Sequence, residues 1–167
     1  MIQVTDAQLF AWLAGFLLPL FRVLAMIAAT PVLSNRSFPV RAKVATGAVV
    51  ALVAAPFAGP VDPAAFAGPL LYALIAREVL IGLMIGFSAR LLFASFELAG
   101  EAIGLQMGLS FAGFFDPQSG ASNAVGRFVN TTALMAFVAL NGPLAMFDTV
   151  IQSMTVFPVG EPSFAFL

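Results

Sequence analysis

Gly100-Glu101-Ala102-Ile103-Gly104-Leu105-Gln106-Met107-Gly108-Leu109-Ser110-Phe111-Ala112-Gly113-Phe114-Phe115-Asp116-Pro117 is the stretch that decides the fold of this chain. Gly100, Gly104 and Gly108 recur at every fourth residue of an apolar run, and Gly82 and Gly86 make the same step upstream. Residues four apart share one face of an α-helix, and glycine there lets a second helix approach at backbone distance. The spacing predicts close helix packing at Gly82, Gly86, Gly100, Gly104 and Gly108, against the same chain or another subunit. Phe111, Phe114 and Phe115 arrive where Asp116-Pro117 should stop the helix, since a residue before proline is driven out of the α region. A close-packed helix ending in an apolar plug suits a membrane assembly with something to seal.

Composition agrees. Hydrophobic residues make up 61% of the chain and charged residues 9%, whereas a soluble domain carries about 25% charged residues. So few charges cannot cover a water-exposed surface, and an integral membrane protein is expected. The basic residues are scattered and form no stripe that could track phosphates. Cysteine is absent, which excludes disulfides and thiolate chemistry; histidine is absent too, removing the commonest general base and metal ligand. No phosphate-binding Gly-Lys-Ser/Thr loop occurs, so any energy source is expected outside this chain. Neither catalysis nor a cofactor is expected.

Leu9–Leu33 is apolar apart from Arg22 and Thr30 and is long enough to cross a hydrocarbon core of about 30 Å, which needs about 20 residues. The segment before it holds Asp6 and no basic residue, unlike a signal peptide. Ser34–Lys43 is a polar turn with Arg36, Arg41 and Lys43, which the positive-inside bias puts in the cytoplasm, with the N-terminus and Asp62 on the far side. Val44–Val61 is a second apolar segment that weakens at Pro56 and Gly59. From Ala64 to Phe115 the apolar run exceeds one span, so two helices or a bent pair are expected, with the break near Arg90 or Gly82–Gly86. Asp116–Asn123 reads as a loop of small polar residues. Phe128–Leu140 resumes helix, and Asn141-Gly142-Pro143 interrupts it before a last apolar piece to Phe157. The chain stops as a new apolar segment begins. Residues 1–167 are therefore expected to form a single helical membrane region, the N-terminal part of a longer protein.

Six charges fall inside the apolar runs before residue 116: Arg22, Arg77, Glu78, Arg90, Glu97 and Glu101. A charge at bilayer depth costs roughly 2.5–3.5 kcal/mol on insertion scales, so by default it is paired or lines water. Arg22, mid-run, should bury against a carboxylate, a carbonyl or water, unless its helix is tilted or shallow. Arg77 and Glu78 are adjacent, face apart and need partners elsewhere. Glu97 and Glu101 lie one turn apart, and Arg90, two turns before Glu97, can pair with it. A proton relay, a cation site and structural ion pairs remain open there; a dinuclear metal site would want Glu-x-x-His pairs, which are lacking.

Met107, Phe111, Phe114 and Phe115 form the last constellation. Methionine adapts to variable shapes, and rings of apolar side chains close pores by dewetting. The plainer reading makes them core or lipid-facing residues. Their position at the entrance of a polar loop favours a partner that covers them.

At these residues the chain resembles the FliR/SctT family of flagellar and injectisome export-gate subunits. The likeness runs through Phe21-Arg22-Val23-Leu24-Ala25, Thr30-Pro31-Val32-Leu33-Ser34, Arg36-Ser37-Phe38-Pro39-Val40-Arg41 and Arg77-Glu78-Val79-Leu80-Ile81-Gly82, and is most specific over Ala99–Phe111. It implies an all-α membrane protein whose hydrophobic, partly bent helices are arranged as hairpins. It also implies a subunit without catalytic activity that joins FliP-like, FliQ-like and FlhB-like subunits in the bacterial inner membrane, at the flagellar basal body. Unfolded export substrates would pass through the shared type III secretion pore. Carried onto this chain, the family's plug falls on about Gln106–Pro117, with Gln106, Met107, Phe111, Phe114 and Phe115 as sealing residues. The alternative, from another class, is a small-solute or ion transporter whose Arg90, Glu97 and Glu101 handle charge.

Overall fold

The computed structural model describes residues 6–34, 39–59, 70–108 and 124–159. Among them every regular element is helical: α1 (Asp6–Ala29), α2 (Pro31–Ser34), α3 (Val40–Ala54), a 3₁₀ turn (Ala55–Phe57), α4 (Leu70–Gln106), α5 (Ala124–Ala139) and α6 (Gly142–Val156). Trp12–Ala29, Val40–Phe57 and Leu70–Gln106 are each long and apolar enough to cross a membrane, and α5 with α6 makes a fourth span if that broken pair is taken as one. The chain is an all-α membrane protein.

Each helix end has a local cause. Thr30 precedes Pro31, which disfavours the α region for it; its hydroxyl donates to the Met26 carbonyl at 2.8 Å, and α1 stops one residue before it. α3 opens after Pro39 in extended conformation and so takes Arg41 and Lys43 into its first turns. The polar turn is therefore shorter than the sequence suggests, and Lys43 Nζ donates to the Ser34 carbonyl at 2.9 Å. Pro56 tightens the end of α3 into the 3₁₀ turn, and Gly59 follows at φ +75°. Two residues past the end of α5, Asn141 takes a φ of 58°, a left-handed value that asparagine tolerates better than most residues; α6 then begins with Gly142-Pro143.

α4 corrects the expected break. It runs for 37 residues without interruption, which at 1.5 Å per residue is roughly 55 Å of helix. Charges do not sever a backbone ladder and glycine weakens it only slightly; no proline occurs between Pro69 and Pro117, although α1 accommodates Pro19 within its own ladder. The end of α4 also comes earlier than Asp116-Pro117. Gly108 sits just beyond it at φ +75°, its N–H donating to the Leu105 carbonyl at 3.0 Å. That is one half of a Schellman cap, a conformation glycine adopts without Cβ strain.

The helices pack as two compact units, Met1–Phe87 with Leu144–Leu167, and Ser88–Pro143. The first has the larger core: Leu18, Val23 and Met26 of α1, Ala54 of α3, Leu74 of α4 and Met154 of α6. The second is the hairpin of the C-terminal part of α4 with α5, where Phe93 and Phe137 meet edge to face with ring centroids 5.3 Å apart.

Candidate functional site

In the first unit the glycine step at Gly82 and Gly86 is a crossing within the chain. A Cβ on Gly82 would collide with the Arg22 backbone carbonyl and lie 2.9 Å from Ala25 Cβ. One on Gly86 would lie 2.6 Å from Ala29 Cβ and 2.7 Å from the Met26 carbonyl oxygen. Helices α1 and α4 thus touch backbone to backbone, as small residues allow in membranes.

This contact delivers Arg22 of α1 to Glu78 of α4. Arg22 Nε donates to Glu78 Oε2 at 2.6 Å and Nη2 to Oε1 at 2.9 Å, and both side chains are fully buried. The fork is bidentate, the strongest geometry for a guanidinium and a carboxylate. Two further N–H groups are used as well: Nη1 donates to Ser153 Oγ at 3.0 Å, and Nη2 also donates to the Phe157 carbonyl at 3.0 Å. Arg77, buried beside Glu78, donates from Nη1 to the Pro158 carbonyl at 3.0 Å. Two arginines therefore converge on carbonyls that follow the C-terminus of α6, where cations are favoured. The Val159 N–H closes the same corner on the Ala58 carbonyl at 3.1 Å.

The second unit treats its charges differently. Arg90, Glu97 and Glu101 are all exposed, and among the described residues Arg90 makes no ion pair with Glu97 or Glu101. Gly100 packs against α5: a Cβ there would lie 2.7 Å from Gly126 Cα and 3.3 Å from Val129 Cβ. Gly104 is buried on the same face. Gly108 belongs to the cap, and among the described residues nothing lies within 4 Å of the place a Cβ would take there. In the same hairpin, Leu92, Phe93, Phe96, Phe128, Thr132 and Leu140 help line an apolar groove of about 430 Å³.

Of the expected plug, Gln106 and Met107 are exposed at the end of α4, Met107 to 64%. Phe111, Phe114 and Phe115 lie outside the described residues, as does the loop at Asp116–Asn123. Sequence reasoning missed Gly126, Ser153 and the carbonyls of Phe157 and Pro158. Only Ser153, a hydroxyl in an apolar run, carried a usable signal.

The family model described as bacterial export proteins, family 1, matches residues 13–167. Among curated proteins, the flagellar biosynthetic protein FliR of Escherichia coli (strain K12) is 40% identical over 164 residues, covering 97% of this chain and 62% of that protein. The protein of the same name from Pectobacterium carotovorum subsp. carotovorum is 34% identical over 160 residues, covering 95% of this chain and 61% of its own length. That of Buchnera aphidicola subsp. Acyrthosiphon pisum is also 34% identical, with 95% and 62% covered. The chain thus spans about three fifths of the length of these relatives.

Proposed function

This chain belongs to the bacterial export proteins, family 1, and on that premise we propose that it is a non-enzymatic subunit of the flagellar protein-export gate. In this reading it sits in the bacterial inner membrane at the basal body, with FliP-like, FliQ-like and FlhB-like subunits, and helps line and plug the pore that unfolded substrates cross. The observation that carries the reading is the family match over residues 13–167 together with relatives that are flagellar biosynthetic proteins.

The build of the chain supports the plug. A rigid α4 closed by a glycine cap ends in exposed Met107 and leads directly into the phenylalanine-rich segment. Apolar side chains delivered at a helix end suit a seal, because a ring of them excludes water and ions without any charge to bind them. Nothing in this role requires bond chemistry; the groups do their work by packing.

The test uses the full-length protein in its native membrane. Phe111→Ala with Phe114→Ala, or deletion of residues 106–117, is expected to leave the assembled gate leaky to small ions, read as a fall in membrane potential. An assembled gate with unchanged leakage removes the plug from the reading. Loss of the chain without loss of flagellar export removes the reading altogether.

A further inference from the structure

Helix α6 carries no means of closing its own C-terminus. Its last turn holds no basic residue, and Phe157 and Pro158 follow where the glycine of a C-cap would stand. Pro158 has no N–H and disfavours the α region for Phe157, so the helix ends at Val156. α4, by contrast, is closed by its own Gly108. The carbonyls that follow α6 nevertheless have donors. Arg22 of α1 donates to the Phe157 carbonyl and Arg77 of α4 to the Pro158 carbonyl, both at 3.0 Å. Arg22 also reaches back into the last turn, to Ser153 Oγ at 3.0 Å.

Glu78 decides where Arg22 points. A guanidinium is a flat, rigid fork. Glu78 takes its Nε and Nη2 at 2.6 and 2.9 Å, which fixes the plane and turns Nη1 and the second Nη2 hydrogen towards α6. The crossing of α1 and α4 has a separate basis, the backbone contact at Gly82 and Gly86. The end of α6 has one more tie: the Val159 N–H donates to the Ala58 carbonyl at 3.1 Å, and both residues are fully buried. Residues 157–159 are thus held through their backbone groups by α1, α4 and the turn after α3. Backbone groups buried away from water need partners, so this seat is stable only while the two arginines stay in place.

We propose that Arg22 and Arg77 form a latch, a helix cap supplied to α6 by two other helices, with Glu78 as the positioning residue that aims Arg22. The latch seats the end of α6, and the residues directly after it, on a helix pair whose own contact is complete without it. Opening it releases residues 153–159 while α1 and α4 stay together. The latch is independent of the export role, since every group in it belongs to this chain.

The experiment follows amide hydrogen exchange in the full-length protein in detergent, reading Phe157 and Val159 against residues 82–86 of α4. Two variants carry it: Arg77→Met, which leaves the Arg22–Glu78 fork whole, and Arg22→Met with Glu78→Leu, which removes both charges together. Each is expected to speed exchange at Phe157 and Val159 about tenfold or more, a local opening made easier by about 1.4 kcal/mol, with residues 82–86 unchanged. Arg77→Lys keeps a cation at the Pro158 carbonyl and should restore part of the protection. Glu78→Gln, with both arginines present, tests the aiming and should speed exchange at Phe157. Unchanged exchange at Phe157 and Val159 in Arg77→Met overturns the latch. Equal acceleration at residues 82–86 overturns it too, because the arginines would then be pins of the whole unit. Where the double variant fails to fold, Arg77→Met decides alone. Unchanged exchange at Phe157 in Glu78→Gln overturns the positioning role of Glu78.

Discussion

The two units contain the same ingredients, glycine-spaced helices and charges in apolar sequence, and use them in opposite ways. In the first, Arg22 and Glu78 are fully buried, and each of the three guanidinium nitrogens donates to an acceptor within the chain. In the second, Arg90, Glu97 and Glu101 stand exposed along one stripe. Burial explains the difference. Three helices surround Arg22, so its charge is compensated locally, whereas a two-helix hairpin has no interior in which to hide an ion pair. The first unit answers its buried charges within its own chain; the second leaves its charges on the surface.

The largest effect should come from breaking the clasp. Removing one partner of a buried pair leaves an uncompensated charge and costs about 3–5 kcal/mol, so Glu78→Ala should sharply lower the protein level in the membrane and its melting temperature in detergent. The double variant Arg22→Met with Glu78→Leu should be less damaging than Glu78→Ala, because it removes both charges together. If Glu78→Ala melts like the parent, the contrast between the units is lost.

Next come the crossings. Gly82→Ala puts a methyl group against the Arg22 backbone carbonyl, and Gly100→Ala puts one 2.7 Å from Gly126 Cα. Backbone cannot yield as a side chain can, so each should cost about 1–3 kcal/mol, the usual range for overpacking. Gly15→Ala, with nothing within 4 Å of the new methyl, serves as the control and should be neutral or stabilising. Thermal melts of the three variants in one detergent decide the point. An equal loss at all three would mean that the close contacts are not what these glycines serve.

How much of this was legible in the sequence follows from the range of each signal. Helix and membrane character are local, and the interruption at Asn141-Gly142-Pro143 was readable from its turn chemistry. The uninterrupted α4 was readable too, since no proline lies between Pro69 and Pro117, but its charges invite the assumption of a break. One residue type serves two purposes that spacing alone does not separate: at Gly100 the missing Cβ admits a neighbouring helix, and at Gly108 it admits a left-handed backbone. Arg22 announces its need for a partner, yet Glu78 is 56 residues away. Arg77 and Glu78 are equally anonymous until α1 and α6 are packed against them. Gly126 gives no hint at all, because a single glycine has no period.

The cap at the end of α4 offers a smaller effect with a clear sign. At φ +75° an L-residue suffers a Cβ contact that glycine avoids, costing roughly 1–2 kcal/mol. Gly108→Ala should therefore fray the last turn of α4, read as faster amide exchange at Leu105 and Gln106, with the Arg22–Glu78 clasp untouched. Unchanged exchange would mean that the cap does not fix where the helix ends.

The smallest intrinsic effect is expected at Glu97, and its smallness is what sharpens the contrast. An exposed glutamate with no ion pair among the described residues should change the stability of the isolated protein by no more than about 0.5 kcal/mol on replacement by glutamine, while Glu78→Gln, which loses a charged acceptor at a fully buried fork, should cost several times more. The two substitutions delete the same charge from the same helix type, so sequence context cannot account for a difference. If Glu97→Gln is silent in the isolated protein yet weakens the assembled complex, the charge is answered by a neighbouring polypeptide. If it destabilises the isolated protein as much as Glu78→Gln does, Glu97 has a partner within its own chain, and the second unit is as self-sufficient as the first.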